Sequence, residues 1–201
     1  MSEKTLVLAT NNKGKMREFS AMFAPLGVEL INQGALGVTE CEEPFHTFVE
    51  NALQKARHAS RETGKPAMAD DSGICVAALG GAPGVYSARY SGPEHDDLRN
   101  NALLVKNLQG VSDRRAHFIC VLCAVRHPDD PEPLIAVGRW FGEIVDQPGG
   151  SGGFGYDPHF FVPELQKTAA ELTPEEKNAR SHRGQALKVM AELLKTVWGW
   201  V

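Results

Sequence analysis

This sequence has few cysteines, no net positive charge and no long apolar run. Its 201 residues include four cysteines, too few and too scattered for a disulfide framework, so we expect free thiols. The formal net charge of −4 gives no attraction to nucleic acid or to an anionic membrane, so we expect neither as a partner. No apolar run approaches the about 20 residues of a membrane-spanning helix. Any anionic ligand must therefore bind in a local basic pocket.

The CxxC pair, Cys120 and Cys123, does not predict a zinc site. Both residues lie in the unbroken strand pattern of residues 118–125, whose period of two puts them on opposite faces. The sequence has no second cysteine pair to complete a zinc site. We therefore expect no metal at these cysteines.

The chain length is ample for a sizeable core and fits one domain, or two lobes that share one sheet. We expect a single domain over residues 1–201. Its N-terminal residues, MSEKT, lead straight into a strand-like segment without a signal-peptide pattern, so we expect a cytoplasmic location.

The rest of the chain is organised around residues 67–73, AMADDSG, a short apolar run followed by two acids, a hydroxyl and a glycine. This pattern predicts a buried strand that ends at Asp70 and Asp71 and delivers their carboxylates to the rim of the sheet. Open α/β folds bind ligands at that rim. The alternative is a strand followed by an ordinary DDSG turn.

A second candidate site lies at residues 10–15, TNNKGK, between a predicted strand at 5–9 and a helical pattern from Met16 to Leu26. A helix N-terminus offers N–H groups and a favourable dipole to an anion, and Lys13 and Lys15 add positive charge. The segment is not a Walker A loop, because it has one glycine and Met16 follows the lysine. The alternative is a plain turn with two solvated lysines.

An acidic loop at residues 34–44 precedes a predicted helix at 47–63. One of its glutamates can reach Asp70 and Asp71 and complete an oxygen-ligand site, since Mg²⁺ needs only one or two carboxylates beside phosphates and water. The alternative is that the loop acids, and Lys55 on the helix, are solvated surface charges.

The densest glycine segment, residues 149–158, stands just before a short strand pattern at 160–162. Its glycines allow close approach of backbone to a ligand, Phe154 and Tyr156 offer flat surfaces to a base, and Asp157 can orient a sugar or base edge. The alternative is a tight loop with two core aromatic residues.

Alternating patterns along the chain predict an α/β fold. Further strands are expected at 28–32, 116–125 and 134–143, the last two as an antiparallel hairpin, and a helix at 96–108. A capping-box start at residues 173–176 and a last helix opened by residues 181–184 follow. The expected architecture is a mixed, twisted sheet flanked by helices.

Five segments together resemble the inosine triphosphate pyrophosphatase family: TNNKGK at 10–15, ADDSG at 69–73, GGAPGVYSARY at 80–90, GFGYDP at 153–158 and SHRG at 181–184. The match spans nearly the whole chain, and five motifs in the same order argue against accidental similarity. The resemblance implies a homodimeric, Mg²⁺-dependent hydrolase of two lobes with an active-site cleft between them. It would convert dITP, ITP or XTP to the monophosphate and pyrophosphate, which keeps deaminated purines out of DNA and RNA.

The resemblance also implies roles for residues. Asp71 would be the proton acceptor and a metal ligand, and Glu42 or Glu43 would supply a further metal ligand. The phosphates would be bound by Thr10, Asn11, Asn12, Lys13, Gly14 and Lys15. The other substrate contacts would be Lys55, Ser72, Phe154, Gly155, Tyr156, Asp157, Lys177, His182 and Arg183, of which those from Phe154 onward would contact the nucleoside.

The implied chemistry is consistent with the residues present. Attack of water on the α-phosphorus requires charge neutralisation on the pyrophosphate leaving group and a carboxylate that takes the water's proton. Two other functions fit the same pattern: a nucleotide sensor without catalysis, and a pyrophosphatase for modified pyrimidines.

Overall fold

The computed structural model describes residues 4–10 and 13–200, apart from the side chains of residues 13, 14 and 18. Within these ranges the strands are β1 Lys4–Leu8, β2 Val28–Asn32, β3 Ala67–Val76, β4 Arg115–Val125, β5 Leu134–Ile144, β6 Phe160–Val162 and β7 Lys167–Thr168. The α-helices there are α1 Lys13–Phe23, α2 Phe48–Thr63, α3 Asp97–Asn107, α4 Pro174–Arg180 and α5 His182–Thr196.

The strands form one sheet in the order β2-β1-β3-β4-β5-β6-β7. Strand β1 pairs in parallel with β2 and with β3, whereas β6 pairs antiparallel with β5 and with β7. The sheet is therefore mixed, as predicted. The predicted α/β class is confirmed, and β7 is a short strand that the sequence did not predict.

Both ends of α2 and the start of α4 lie where the capping residues in the sequence predict them. Thr47 caps α2 by accepting a hydrogen bond from the amide of Glu50, and Gly64 ends the helix in a left-handed conformation at φ 66°. The predicted capping box before α4 is present, with Thr173 and Glu176 bonded reciprocally. Helix α1 starts at Lys13, three residues before the predicted helical pattern, so Lys13 to Lys15 form its first turn.

The expected end of a strand at Asp70 and Asp71 is wrong. Strand β3 continues through both acids, Ser72 and Gly73 to Val76, so the acids lie in mid-strand and not at a turn. The two acids can be buried in mid-strand because lysines from α1 and α2 lie against their carboxylates. Those partners are distant in sequence, so the local composition alone indicates a turn.

The chain divides into two compact units. The first comprises Met1–Asp71, Cys120–Val137 and Ala186–Val201, and the second comprises Ser72–Ile119 and Gly138–Gln185. The prediction of a single domain built from two lobes stays a prediction, as does the cleft between the lobes.

The first unit has a core on each face of its strands. On one face Leu8 and Met68 pack with α1 and α5, and on the other Val7 and Ala69 pack with the alanines of α2. Because successive strand residues point to opposite faces, β1 and β3 divide their side chains between these two cores. The same alternation separates Cys120 from Cys123, as predicted; none of the four cysteines, all described, forms a disulfide.

The second unit has an aromatic core. Phe118 packs against Trp140 and Phe160, whose ring centroids are 6.4 and 4.5 Å away. Tyr156 and Leu104 of α3 belong to the same buried cluster. Across the described residues of both units, no helix is long and apolar enough to cross a membrane.

Candidate active site

The two adjacent acids of β3 face opposite sides of the sheet. Asp70 follows Met68 on the α1 side, and Asp71 follows Ala69 on the α2 side. Both are buried, with relative exposures of 2% and 8%. Each carboxylate therefore has its own set of partners, supplied by a different helix.

Lys15, in the first turn of α1, donates to Asp70 Oδ2 at 2.7 Å. This pair holds the ammonium of Lys15 against the sheet while leaving it partly accessible. Removing one partner of such a buried pair leaves a charge in a poorly solvated place, which typically costs about 3–5 kcal/mol. The structure thus gives Lys15 a structural role beside the predicted contact with phosphate.

The other residues of the 10–15 segment are placed only in part. Thr10 is buried, and its carbonyl accepts a hydrogen bond from the side chain of Asn32 at 2.5 Å. Lys13 and Gly14 contribute backbone to the first turn of α1, and their side-chain placement lies outside the description, as do Asn11 and Asn12 altogether.

Lys55 links Asp71 to the acidic loop. Its ammonium pairs with Glu43 Oε1 and lies 4.0 Å from Asp71 Oδ1. Glu42, by contrast, is exposed. The alternative in which Lys55 and the loop acids are all solvated therefore does not hold, and Glu43 is the loop glutamate that the structure brings to Asp71.

Asn51 is a buried member of this group that sequence reasoning missed. Its side-chain Nδ2 donates to Asp71 Oδ2 at 3.2 Å. A signal existed, because Asn51 lies one turn before Lys55 on α2, and residues four apart share a helix face. A polar residue beside the buried Ala52 and Ala56 could have been flagged on that ground.

The electrostatics of Asp71 are those of a proton acceptor near neutral pH. Burial raises its pKa to about 6, an effect opposed by Lys55 and by the hydrogen bond from Asn51, and increased by Glu43. For Lys55, burial lowers the pKa, but the carboxylates of Asp70, Asp71 and Glu43 outweigh burial and the net pKa is raised. Lys55 therefore stays protonated, and Asp71 can exchange a proton at physiological pH.

The donor set around Lys55 fits a hard divalent cation. Glu43 and Asp71 both face the ammonium of Lys55, so the structure already holds two carboxylates around one positive charge. Mg²⁺ is usually bound by one or two carboxylates together with substrate phosphates and water. Among the described residues there is no cluster of three or more His, Cys, Asp or Glu side chains suited to a metal. Protein oxygens alone would thus complete only part of such a site.

In the second unit, Asp157 organises the glycine-rich loop. Its Oδ2 accepts from the amide of Phe154 at 2.9 Å and pairs with the ammonium of Lys177 in α4. A β-carbon at Gly153, where φ is +73°, would collide with the Asp157 carboxylate, so only glycine fits there. The loop and α4 are thereby joined through one carboxylate.

The aromatic residues of this loop have different environments. Phe154 is 59% exposed, and Lys177 Nζ and Arg183 Cζ lie 4.6 and 5.8 Å from its ring centroid. Tyr156 is buried in the core, and its hydroxyl donates to the Ser87 carbonyl at 2.6 Å. Phe154 therefore presents a flat accessible surface, whereas the ring of Tyr156 packs inside, as the alternative interpretation has it.

The first turn of α5 places His182 and Arg183 in buried positions. His182 stacks on Phe118 with ring centroids 4.9 Å apart and an interplanar angle of 14°. Gly184 donates from its amide to Ser181 Oγ at 3.1 Å, and a β-carbon on it would collide with the Asn178 carbonyl. Ser72, the remaining predicted contact, lies partly buried in β3 within this unit.

Gly155 is held by two residues of α3 that were not predicted. Its amide donates to Asp97 Oδ2 at 2.8 Å, and its carbonyl accepts from Asn101 Nδ2 at 2.7 Å. Asp97 is one residue after the helix cap, where an acid is common for helix stability alone. Sequence position therefore gave no reason to connect α3 with the loop.

Comparison with known proteins identifies the family. A sequence model of the Ham1 family matches residues 6–193. The chain belongs to the Ham1 family. The dITP/XTP pyrophosphatase of Burkholderia pseudomallei is 65% identical over 192 residues, covering 94% of this chain and 92% of that protein. The corresponding protein of Ralstonia nicotianae is 62% identical over 195 residues, covering 96% and 97%.

Solved Ham1 structures share the fold. A HAM1 protein from Coxiella burnetii superposes with a TM-score of 0.92 at 48% identity, covering 94% of this chain and 98% of that one. The Ham1 protein of Staphylococcus aureus gives a TM-score of 0.88 at 40% identity, covering 96% and 98%. The fold and the pyrophosphatase resemblance predicted from the sequence are therefore confirmed.

Proposed function

We propose that this Ham1-family chain hydrolyses the non-standard purine nucleotides dITP, ITP and XTP to the nucleoside monophosphate and pyrophosphate. The observation that carries the chemistry is the buried group formed by Asp71, Lys55 and Glu43. The substrate class is supported by relatives that carry the name dITP/XTP pyrophosphatase at 60% identity or more. Such activity removes deaminated purines from the nucleotide pool.

Asp71 is the proton acceptor in this proposal. Water attacks the α-phosphorus, its oxygen forms the new P–O bond, and the bond from that phosphorus to the bridging oxygen of the β-phosphate breaks. Pyrophosphate leaves, and the proton of the attacking water passes to a carboxylate oxygen of Asp71. A pKa of about 6 leaves Asp71 ionised at neutral pH yet basic enough to take that proton.

Lys15 and Lys55 supply positive charge toward the triphosphate. Negative charge accumulates on the departing pyrophosphate, and fixed cations that face it stabilise the transition state more than the ground state. Glu43 and Asp71 would hold Mg²⁺, which supplies further charge neutralisation when it is bound. Lys55 already lies between these carboxylates and keeps their mutual repulsion low.

The nucleoside is assigned to the second unit's residues. The exposed ring of Phe154 offers a stacking surface to the base. Donors on His182 and Arg183 would favour the C6 oxygen of hypoxanthine and xanthine over the amino group of adenine. An unmatched buried donor costs about 1–3 kcal/mol, so such a site excludes ATP strongly.

A homodimer and a cytoplasmic location complete the proposal. The homodimer is what the family resemblance implies, and the proposed location fits a substrate drawn from the cytoplasmic nucleotide pool. Sedimentation measurements on the purified chain test the oligomeric state directly.

The decisive test is pyrophosphate release from a panel of dITP, ITP, XTP, GTP and ATP, with and without Mg²⁺. We expect kcat/KM for the first three to exceed the values for GTP and ATP by at least about 100-fold. A sensor would bind the same nucleotides without turnover, and a pyrimidine enzyme would prefer modified dCTP or dUTP. Equal efficiencies for ITP and ATP would contradict the proposal.

A further inference from the structure

Asn51 is a buried amide that the proposed chemistry does not use. It lies in the first part of α2 with a relative exposure of 1%. Its Oδ1 accepts from the amide of Phe45 at 3.0 Å. Its Nδ2 donates to the carbonyl of Phe45 at 3.1 Å and to Asp71 Oδ2 at 3.2 Å. One side chain therefore bonds to the acidic loop and to β3 at once.

The loop needs such an anchor. Residues 38–45, all described, form neither helix nor strand, so regular backbone pairing does not hold them. Asn51 satisfies both polar backbone groups of Phe45, which stands two residues after Glu43. This contact and the Lys55 pair therefore contribute to the position of Glu43 relative to Asp71.

The bonds to Asn51 also orient the Asp71 carboxylate. Oδ2 receives the amide hydrogen of Asn51, whereas Oδ1 lies toward Lys55 at 4.0 Å. The two oxygens are therefore distinguished by their donors. A carboxylate that must accept a proton from one attacking water benefits from a fixed orientation, because a misplacement of about 1 Å can cost about 100-fold in rate.

We propose that Asn51 is a positioning residue, which holds the Asp71 carboxylate and the Glu43 segment in one arrangement around Lys55. The proposal rests on the proposed pyrophosphatase function. It requires an amide, because Oδ1 must accept and Nδ2 must donate twice. The variant Asn51→Asp keeps the size of the side chain. It replaces the amide NH₂ group, which donates to the Phe45 carbonyl and to Asp71 Oδ2, with an oxygen that can only accept.

Asn100 provides a matched control in the second unit. It is equally buried, at 1% exposure, and its Oδ1 accepts from the amide and hydroxyl of Ser91 while Nδ2 donates to the Ala88 carbonyl. It thus ties a loop to a helix in the same way, but its hydrogen-bond partners belong to the second unit. Its variants report the effect of losing such a loop anchor alone.

The test compares Asn51→Ala and Asn51→Asp with Asn100→Ala and Asn100→Asp in the full chain. For the Asn51 variants we expect kcat for ITP to fall about 100-fold while KM changes by less than about 3-fold. For the Asn100 variants we expect similar losses of melting temperature with kcat within about 3-fold of the unsubstituted protein. Amide exchange at Phe45 should accelerate in Asn51→Ala only.

The outcomes are separable. If the unsubstituted chain releases no pyrophosphate from dITP, ITP or XTP, the proposed function fails and the positioning role falls with it. If that chain is active but Asn51 and Asn100 variants lose kcat equally, only the positioning role is overturned. A rise in KM with unchanged kcat for the Asn51 variants would overturn it as well, since it would make Asn51 a binding contact.

Discussion

A raised pKa on a buried carboxyl has a consequence for stability as well as for catalysis. For Asp71 the pKa rises from 3.8 to about 6 because burial disfavours the charged form. The folded protein therefore keeps this proton to a higher pH than the unfolded chain. The resulting stabilisation is complete below the unfolded pKa and is lost as pH rises through about 6. Ionisation of Asp71 therefore makes the folded protein less stable at neutral pH than at acidic pH, as far as this group alone is concerned.

The Asp71→Asn variant should gain stability relative to the unsubstituted protein as pH rises from about 3 to about 8. Each pKa unit corresponds to about 1.4 kcal/mol, so the expected gain is about 3 kcal/mol. Urea denaturation of both metal-free proteins across this range measures it. The exposed Asp129, changed to Asn, serves as control. Parallel stability curves for Asp71→Asn and the unsubstituted protein would show that burial does not disfavour the ionised Asp71.

Lys15→Ala should lower both stability and turnover. Asp70 is 2% exposed and loses its 2.7 Å ion pair, so we expect a loss of about 3 kcal/mol in the free energy of unfolding. Asp70→Asn in the same chain should recover most of this stability but not the turnover, because the cation that faces pyrophosphate is still missing. Lys195→Ala, at an exposed position of α5, is the control. Recovery of turnover in the double variant would remove Lys15 from the transition state.

For the helices and strands, the features that could be predicted are those set by interactions between residues close in sequence. The ends of α2 follow from Thr47 and Gly64, which act within one turn of their own positions, and the sequence located both. The length of β3 depends on Lys15 and Lys55, which lie 55 and 16 residues from the acids they face. A window centred on Asp70 contains neither lysine, so its composition indicated a turn.

The same limit applies to the candidate site. The sequence predicted Asp71, Lys55 and one of Glu42 and Glu43 as site residues, and the structure brings Asp71, Lys55 and Glu43 together. Asn51 and the α3 residues that hold Gly155 have no motif of their own. Asn51 could have been flagged only from its spacing to Lys55. Asp97 and Asn101 act on the backbone of Gly155, 58 and 54 residues away, which a local sequence pattern does not reveal.

Helix α3 contacts the glycine-rich loop through Asp97, and the variant Asp97→Asn tests whether this contact positions the loop for the nucleoside. The amide of Gly155 would lose a charged acceptor at 2.8 Å in an exposed place, which corresponds to about 1 kcal/mol or about a fivefold rise in KM for ITP. We expect kcat to stay nearly unchanged, since the side chain of Asp97 bonds to the amide of Gly155 and its carbonyl to Asn101 of its own helix. Steady-state kinetics measure both, with Asp113→Asn, which removes a surface pair with Arg115, as control. An unchanged KM would mean that the contact between Asp97 and Gly155 does not affect nucleoside binding.

At the scale of the whole molecule, the chemistry and the base recognition are assigned to different units. Asp71 and its partners belong to the first unit, whereas Phe154, Lys177 and Arg183 belong to the second. Substitutions in the two units should therefore have different kinetic signatures across a panel of nucleotides.

Asp71→Asn should lower kcat by at least about 100-fold for every nucleotide tested, with the order of preference kept. Arg183→Ala should instead reduce the ratio of kcat/KM for ITP to kcat/KM for ATP, because ITP loses a contact that adenine cannot make. Both are measured as kcat and kcat/KM on the same panel. If Arg183→Ala lowered kcat/KM for all nucleotides by the same factor, Arg183 would not take part in base selection.

The division of the chain between the units has a consequence for the order of events during synthesis. The second unit is complete once residue 185 has been made, but the first unit needs Ala186–Val201 as well. From that last segment Ala186, Met190 and Leu194 pack with Leu8, Phe19 and Phe23, which are made first. Until residues 186–201 have left the ribosome, those apolar side chains lack part of their cover, so we expect the first unit to close after the second.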